Sequence, residues 1–172
     1  MKTMILSACA TVALVTSGAA QATQFAGKLD CEKPDPNHAV SVDDSAKHVM
    51  ALAVVKCTWS EGTLGGERLK DEKDYVSSDA AGGSSDDRGY GVGTVASGDK
   101  YYLHFKGETK LDGDKPTTSE CTWKFKGGTG KLAGLSGKGT CKGAFKADGK
   151  ASWDIKGTYV IGAAGEAKKK DK

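Results

Sequence analysis

The chain has 172 residues, 38% of them hydrophobic and 27% charged, with 25 Lys and Arg against 22 Asp and Glu and a net charge of +3. That length suits one domain, and basic and acidic residues interleaved along a chain describe a solvated surface. Arg68 and Arg88 are the only arginines, so the arginine-rich or aromatic-studded basic face of a nucleic-acid binder is missing and no nucleic-acid partner is expected.

Met1-Lys2 forms a short positive region, Met4 to Val15 an apolar run, and Ala20-Gln21-Ala22 a small-residue cleavage site. The pattern predicts a cleaved secretory signal over residues 1–22 and a secreted or periplasmic protein. The apolar run is shorter than the ~20 residues a membrane-spanning helix needs, and no later segment approaches that length. No membrane span is therefore expected. Cys9 departs with the signal, leaving Cys31, Cys57, Cys121 and Cys141. An even set in an exported chain reads as two disulfides. Zinc would want close pairs of the C-x-x-C kind, and none occurs.

Beyond the signal, period-two patterns dominate and helical periodicity is missing. "QFAGKLDC" puts Phe25, Gly27, Leu29 and Cys31 on one side. "HVMALAVVKCTW", which contains Trp59, is apolar on both faces, so its outer side is expected to be covered by a terminus or by another subunit of a homo-oligomer. "SSDAAGGSSDDRG", residues 77–89, reads as a polar, glycine-rich loop, with Asp86-Asp87 and the earlier Asp43-Asp44 as turn formers. "KYYLHFKG", "ECTWKFKG" and "KASWDIKGTYVI" then alternate cleanly, setting Trp123 and Phe125 in one strand, and Trp153 and Tyr159 in another, on the face opposite their polar neighbours. Ser97-Gly98-Asp99, Asp112-Gly113 and Asp148-Gly149 supply hairpin turns between them. About eight strands result, near 24–31, 47–59, 67–76, 89–96, 100–109, 118–126, 136–146 and 150–161. The expected fold is all-β: a single antiparallel closed barrel with hairpin connections over residues 23–163. Residues 164–172 are expected to form a disordered Lys-rich tail.

The stretch 125–143 holds seven glycines and four lysines. If Cys121 faces Cys141 in a hairpin, Trp123 lies over Gly139 and Phe125 over Gly137, the pairing expected where aromatic rings cover strand glycines. Gly137, Gly139, Cys141, Gly143 and Phe145 then share the inward face, and "GTGKLAGL" becomes a connection whose Leu132 and Leu135 plug the interior. The same reasoning pairs Cys31 with Cys57. A phosphate loop needs Ser or Thr after Gly-Lys, whereas Leu132 follows Gly130-Lys131 and Gly139 follows Gly137-Lys138. The glycines are architectural, and Lys131 is expected to have no phosphate role.

"TWKFKGGTGKLAGLSGKGTCKG" resembles the aromatic-x-Phe, G-G-T-G-K-x-A-G, G-x-G-T signature of the allene oxide cyclase-like and dirigent-like β-barrels, and is most similar to their secreted bacterial members. The specific match covers residues 121–143, with "WDIKGTYV" continuing it. The resemblance implies an eight-stranded antiparallel barrel with an apolar cavity. It brings no catalytic residue, because no active-site position of the plant enzymes can be placed here by motif. "KCTWSEGTLGGERL" at 56–69 echoes "ECTWKFKGGTGKLAGL" at 120–135, which suits a symmetric barrel.

His38, His48 and His104 have no metal-ligand spacing. Asp112-Gly113-Asp114 begins like a calcium loop but lacks the glutamate at its twelfth position. No G-x-S-x-G occurs and both bridges leave no free thiol, so no catalytic residue, metal or cofactor is expected. Trp59, Trp123, Phe125, Trp153 and Tyr159 are the candidate cavity residues. Trp123 and Trp153 point inward from one sheet, and the inward glycine column removes volume that larger side chains would fill. The expected function is therefore binding of a small apolar ligand in the barrel. Two alternatives stand beside it: a cyclase- or isomerase-like enzyme, and a structural envelope protein without a ligand.

Overall fold

The computed structural model describes residues 21–42 and 47–162. The expected signal, Asp43-Asp44 and the Lys-rich tail fall almost wholly outside these residues. Nine strands follow one another: β1 (Thr23–Cys31), β2 (Asn37–Ser41), β3 (His48–Leu64), β4 (Glu67–Ala81), β5 (Ser84–Val95), β6 (Lys100–Asp112), β7 (Lys115–Gly128), β8 (Leu135–Phe145) and β9 (Ala151–Ile161). A single 3-10 turn, Gly130–Leu132, interrupts them.

From β3 to β9 each strand pairs antiparallel with the next, β9 pairs with β1, and β1 returns to β3. Eight strands thus close a barrel, as the alternating pattern requires, and closure leaves those strands no free edge. β2 is the ninth strand. It extends the wall along the first half of β3, from Asn37 opposite Ala53 to Ser41 opposite Val49.

The expected hairpin register holds: Cys121 lies opposite Cys141, Trp123 opposite Gly139 and Phe125 opposite Gly137. The cysteines pair as Cys31–Cys57 and Cys121–Cys141. The two Cys-Thr-Trp segments sit on β3 and β7, four strands apart around the eight-stranded ring, and each sends its tryptophan inward.

One end of the barrel is sealed. Leu132 descends from the 3-10 turn onto Leu64, Leu69, Val95, Leu135 and Tyr159, all buried. The turn carrying it is held by Asp99, whose Oδ2 accepts from the Lys131 amide at 2.9 Å, while Thr129 Oγ1 accepts from the Lys100 amide at 2.8 Å. The lysine side chain points away to Glu67, 3.0 Å distant.

Residues 77–89 correct the expected loop. β4 runs on to Ala81 and β5 starts at Ser84, joined by Gly82-Gly83 with φ of 61° and 90°. Two successive left-handed residues make the two-residue turn whose twist suits a hairpin, and glycine reaches that region without steric cost. Asp86-Asp87 therefore belongs to a strand. Its polar composition misled because this end of the barrel is the wet one.

On the outer face of β3, among the described residues, Met50 and Leu52 stand half or more exposed beside Val40 of β2.

Candidate functional site

The unsealed end opens into a cavity of about 900 Å³ that runs down the barrel axis. Trp59, Trp123, Phe125 and Trp153 line it. Tyr159 does not lie among its lining residues. It packs beneath the floor, against Phe25, and its hydroxyl accepts from the Gly65 amide at 3.1 Å. Phe25 is the hub of that floor, with ring centroids 5.3 Å from Trp123, 5.7 Å from Phe125 and 5.9 Å from Trp59. Each contact is edge-to-face, the arrangement the ring quadrupoles favour.

The glycine column acts differently from the expectation that it leaves empty volume. A Cβ on Gly139 would collide with the Trp123 indole and one on Gly143 with the Trp153 indole. On β5, Gly93 and Gly89 meet the rings of Tyr101 and Phe105 in the same way. The rings lie flat on glycine backbone, so the space is taken at the wall and freed at the axis.

The cavity is not uniformly apolar. At its floor Glu72 is buried: Oε2 accepts the Tyr101 hydroxyl and, at 3.3 Å, the Trp59 indole N–H, which also donates to the Tyr101 oxygen at 2.8 Å. One inward step nearer the mouth lies Asp74. Both acids line the cavity, and a Cβ on Gly91 would lie 3.0 Å from Glu72 Oε1 and 2.8 Å from Asp74 Oδ1. The two carboxyl groups thus converge over a residue without a side chain. They lie side by side, and Asp74 Oδ1 is buried with no hydrogen-bond partner.

Burial raises the Glu72 carboxyl above its usual range, although Tyr101, Asp74 and Trp59 pull it back by donating to it. Burial raises Asp74 further, reinforced by the neighbouring charge of Glu72. Both carboxyl groups are thus shifted towards the protonated form, and the two titrate as a pair.

The sequence reading missed this pair for a definable reason. Between β4 and β5 the register slips: Leu69 pairs with Val95 but Glu72 with Gly93, so β4 holds one extra residue. Alternation counted from the buried Leu69 would send Asp71, Lys73 and Tyr75 inward. The bulge sends Glu72, Asp74 and Val76 inward instead, and re-aiming a side chain is what such bulges do.

Nearer the mouth a second acid is satisfied. Asp87 accepts from Ser85 Oγ at 2.9 Å and from Thr109 Oγ1. Cys31, Cys57 and Asp74 bring their ligand atoms within 4.8 Å of one another, but the bridged sulfurs offer no thiolate, and Cys57 Sγ lies 3.8 Å from Asp74 Oδ2. The histidines lie away from the cavity floor: His48 Nε2 is 2.7 Å from Asp79 Oδ1 and the His104 ring meets Tyr90 edge-on. His38 is exposed on β2. No family model matches the chain, and comparison with curated proteins returns no match.

Proposed function

We propose that the barrel binds a small, largely apolar molecule in its interior. The observation that carries this reading is the cavity of about 900 Å³, open at one end and walled by aromatic side chains. That volume is within the range of sites that enclose small organic ligands, which are mostly apolar with a few placed polar groups. The likeness of residues 121–143 to the allene oxide cyclase-like and dirigent-like barrels supports the same reading. The disulfides and the signal-like first 22 residues support an exported, secreted or periplasmic setting. The neutral dye N-phenyl-1-naphthylamine should bind the oxidised protein and quench tryptophan emission, with Trp153→Ala weakening it. A dye that stays in water at saturating protein would refute the reading.

A cyclase- or isomerase-like reaction is the second reading, favoured by the buried acid pair beside Tyr101. Two carboxyl groups and a phenol side by side at the cavity floor are the kind of groups that acid–base chemistry uses. Self-association through β2 and β3 is a separate proposal, supported by exposed Val40, Met50 and Leu52. Sedimentation velocity decides it, with Leu52→Glu expected to shift any dimer to monomer.

A further inference from the structure

We propose that the molecule held in the cavity is a lipophilic amine, with its ammonium group at Asp74 and Glu72 and its apolar body extending toward the mouth. The inference rests on the reading of the interior as a ligand site and adds the chemistry of the ligand.

Three observations converge. The first is charge. The titratable carboxyl groups that line the cavity are Glu32, Glu72, Asp74, Asp87 and Asp114, and the one cationic side chain among the described lining residues is Lys47, exposed at the rim. Glu32 is paired with Lys150 at 2.8 Å and Asp87 is satisfied by two hydroxyl groups. At the floor, the acid pair therefore faces no cationic side chain among the described residues. A buried carboxylate without a counter-charge is costly, and a ligand that brings the counter-charge removes that cost.

The second is the unsatisfied atom. Glu72 Oε2 already receives two donors, from Tyr101 and Trp59. Asp74 Oδ1, which lines the cavity beside Glu72, has no hydrogen-bond partner, and both carboxyl groups crowd against Gly91. The site is thus short of donors, not of acceptors. An ammonium has three donors and no acceptor, which fits. A carboxylate ligand would set like charges together, and an alcohol would bring a single neutral donor.

The third is the wall around the pair. Trp59 and Tyr101 stand at the floor, with Phe25 and Phe125 beside them, so the pair sits in a low-dielectric aromatic wall where a charge–charge contact is weakly screened. Towards the mouth the lining turns to Val55, Phe105, Trp153 and Ile155. Asp74 lies seven residues before the end of β4 at Ala81, so at ~3.3 Å per residue the wall above it has room for a long apolar tail.

Three ligands of equal chain length separate head-group chemistry from apolar burial: n-decylamine, n-decanol and decanoate. Each is titrated calorimetrically into the oxidised full chain at neutral pH, with N-phenyl-1-naphthylamine as the neutral reference. Decylamine should bind at least tenfold more tightly than decanol, and decanoate should bind more weakly than either. In Asp74→Asn and in Glu72→Gln the amine-to-alcohol ratio should fall at least fivefold, and taking the ratio within each variant cancels any general change in the pocket. If the dye and decanol bind but decylamine gains nothing over decanol, the amine assignment is overturned and the apolar site stands. A ratio that survives both substitutions overturns it too, by placing the ammonium elsewhere. If neither the dye nor any of the three binds, both the site and its ligand class fall.

Discussion

Asp74 is where the fold spends stability. Its carboxyl is raised well above its ordinary 3.8 because burial and the Glu72 charge disfavour ionisation. Between pH 3.8 and that raised value the folded chain holds a proton that the unfolded chain has lost, so stability falls as pH rises across this window. Glu72, also raised by burial, contributes with the same sign. Asp74→Asn removes the penalty while its amide can still donate to Glu72. The variant should melt a few degrees above the parent at pH 7, with the gap closing towards pH 4; a parent that melts higher at pH 7 would show that Asp74 is not carrying this cost. Glu67 has the opposite sign. The Ser97 hydroxyl, the Lys131 ammonium and the Ser97 amide hold its carboxyl down to about 2. Its contribution is complete above its ordinary 4.5 and is lost as pH falls from there towards 2. Lys131→Ala should leave the neutral-pH melt nearly unchanged, as for an exposed ion pair, and shift the acid limb of the melting profile upward. Gly139→Val is the severe change on this hairpin. Its side chain would strike Trp123 and the Lys156 carbonyl, at a cost of about 1–3 kcal/mol readable by denaturant titration.

At the scale of the element, the bridges secure the places where hairpin connectivity is least able to. β1 reaches β3 only through residues 27–31, across a bulge at Lys28 and Leu29, and Cys31–Cys57 fastens the end of that short pairing. The bridge encloses 26 residues, which by loop entropy is worth about 3 kcal/mol. The Cys31→Ala, Cys57→Ala double variant should lose that amount in guanidinium titration and show faster hydrogen exchange in β1 than in β7. Equal exchange in the two strands would mean that the barrel stays closed without the bridge. The β7–β8 hairpin was legible because its signals agree: alternation, facing cysteines, and glycines set opposite aromatic rings. The β4–β5 hairpin was half legible. Its flanking alternation marks strands, but Ser, Asp and Gly dominate the tip and read as loop. The double-glycine turn, not the polar residues, is the punctuation there.

At the scale of the molecule, the barrel has two unlike ends. Leu64, Leu69, Val95, Tyr101 and Leu132 are the most completely buried side chains and all sit at or below the floor. The other end is an open mouth lined by the last turns of β4 and β6 and by β2, every residue of which is exposed. Hydrogen exchange should follow this gradient, slowest at Leu64, Val95 and Tyr101 and fastest at Gly82-Gly83 and in β2, since local opening tracks buried apolar contact. A ligand in the cavity should slow exchange in the upper halves of β3 and β4 and leave the sealed end unchanged. Protection that rose uniformly instead would mean global stabilisation, with no preferred seat for the ligand.

The alternation of apolar and polar residues, the turn dipeptides and the cysteine spacing were enough to determine an all-β antiparallel barrel, its bridges and the register of its best hairpin. These are local signals, because a two-residue period and a turn are written in neighbouring residues. Trp59, Trp123, Phe125 and Trp153 could be named as cavity residues on that basis. Glu72 and Asp74 could not. One extra residue in β4, set against β5 while β4 also pairs with β3, inverts its faces beyond Leu69. The strand composition, "RLKDEKDYV", reads as solvated on either face. Only the closed sheet decides that two of its acids meet inside the barrel, over Gly91, with Tyr101 and Trp59 beside them.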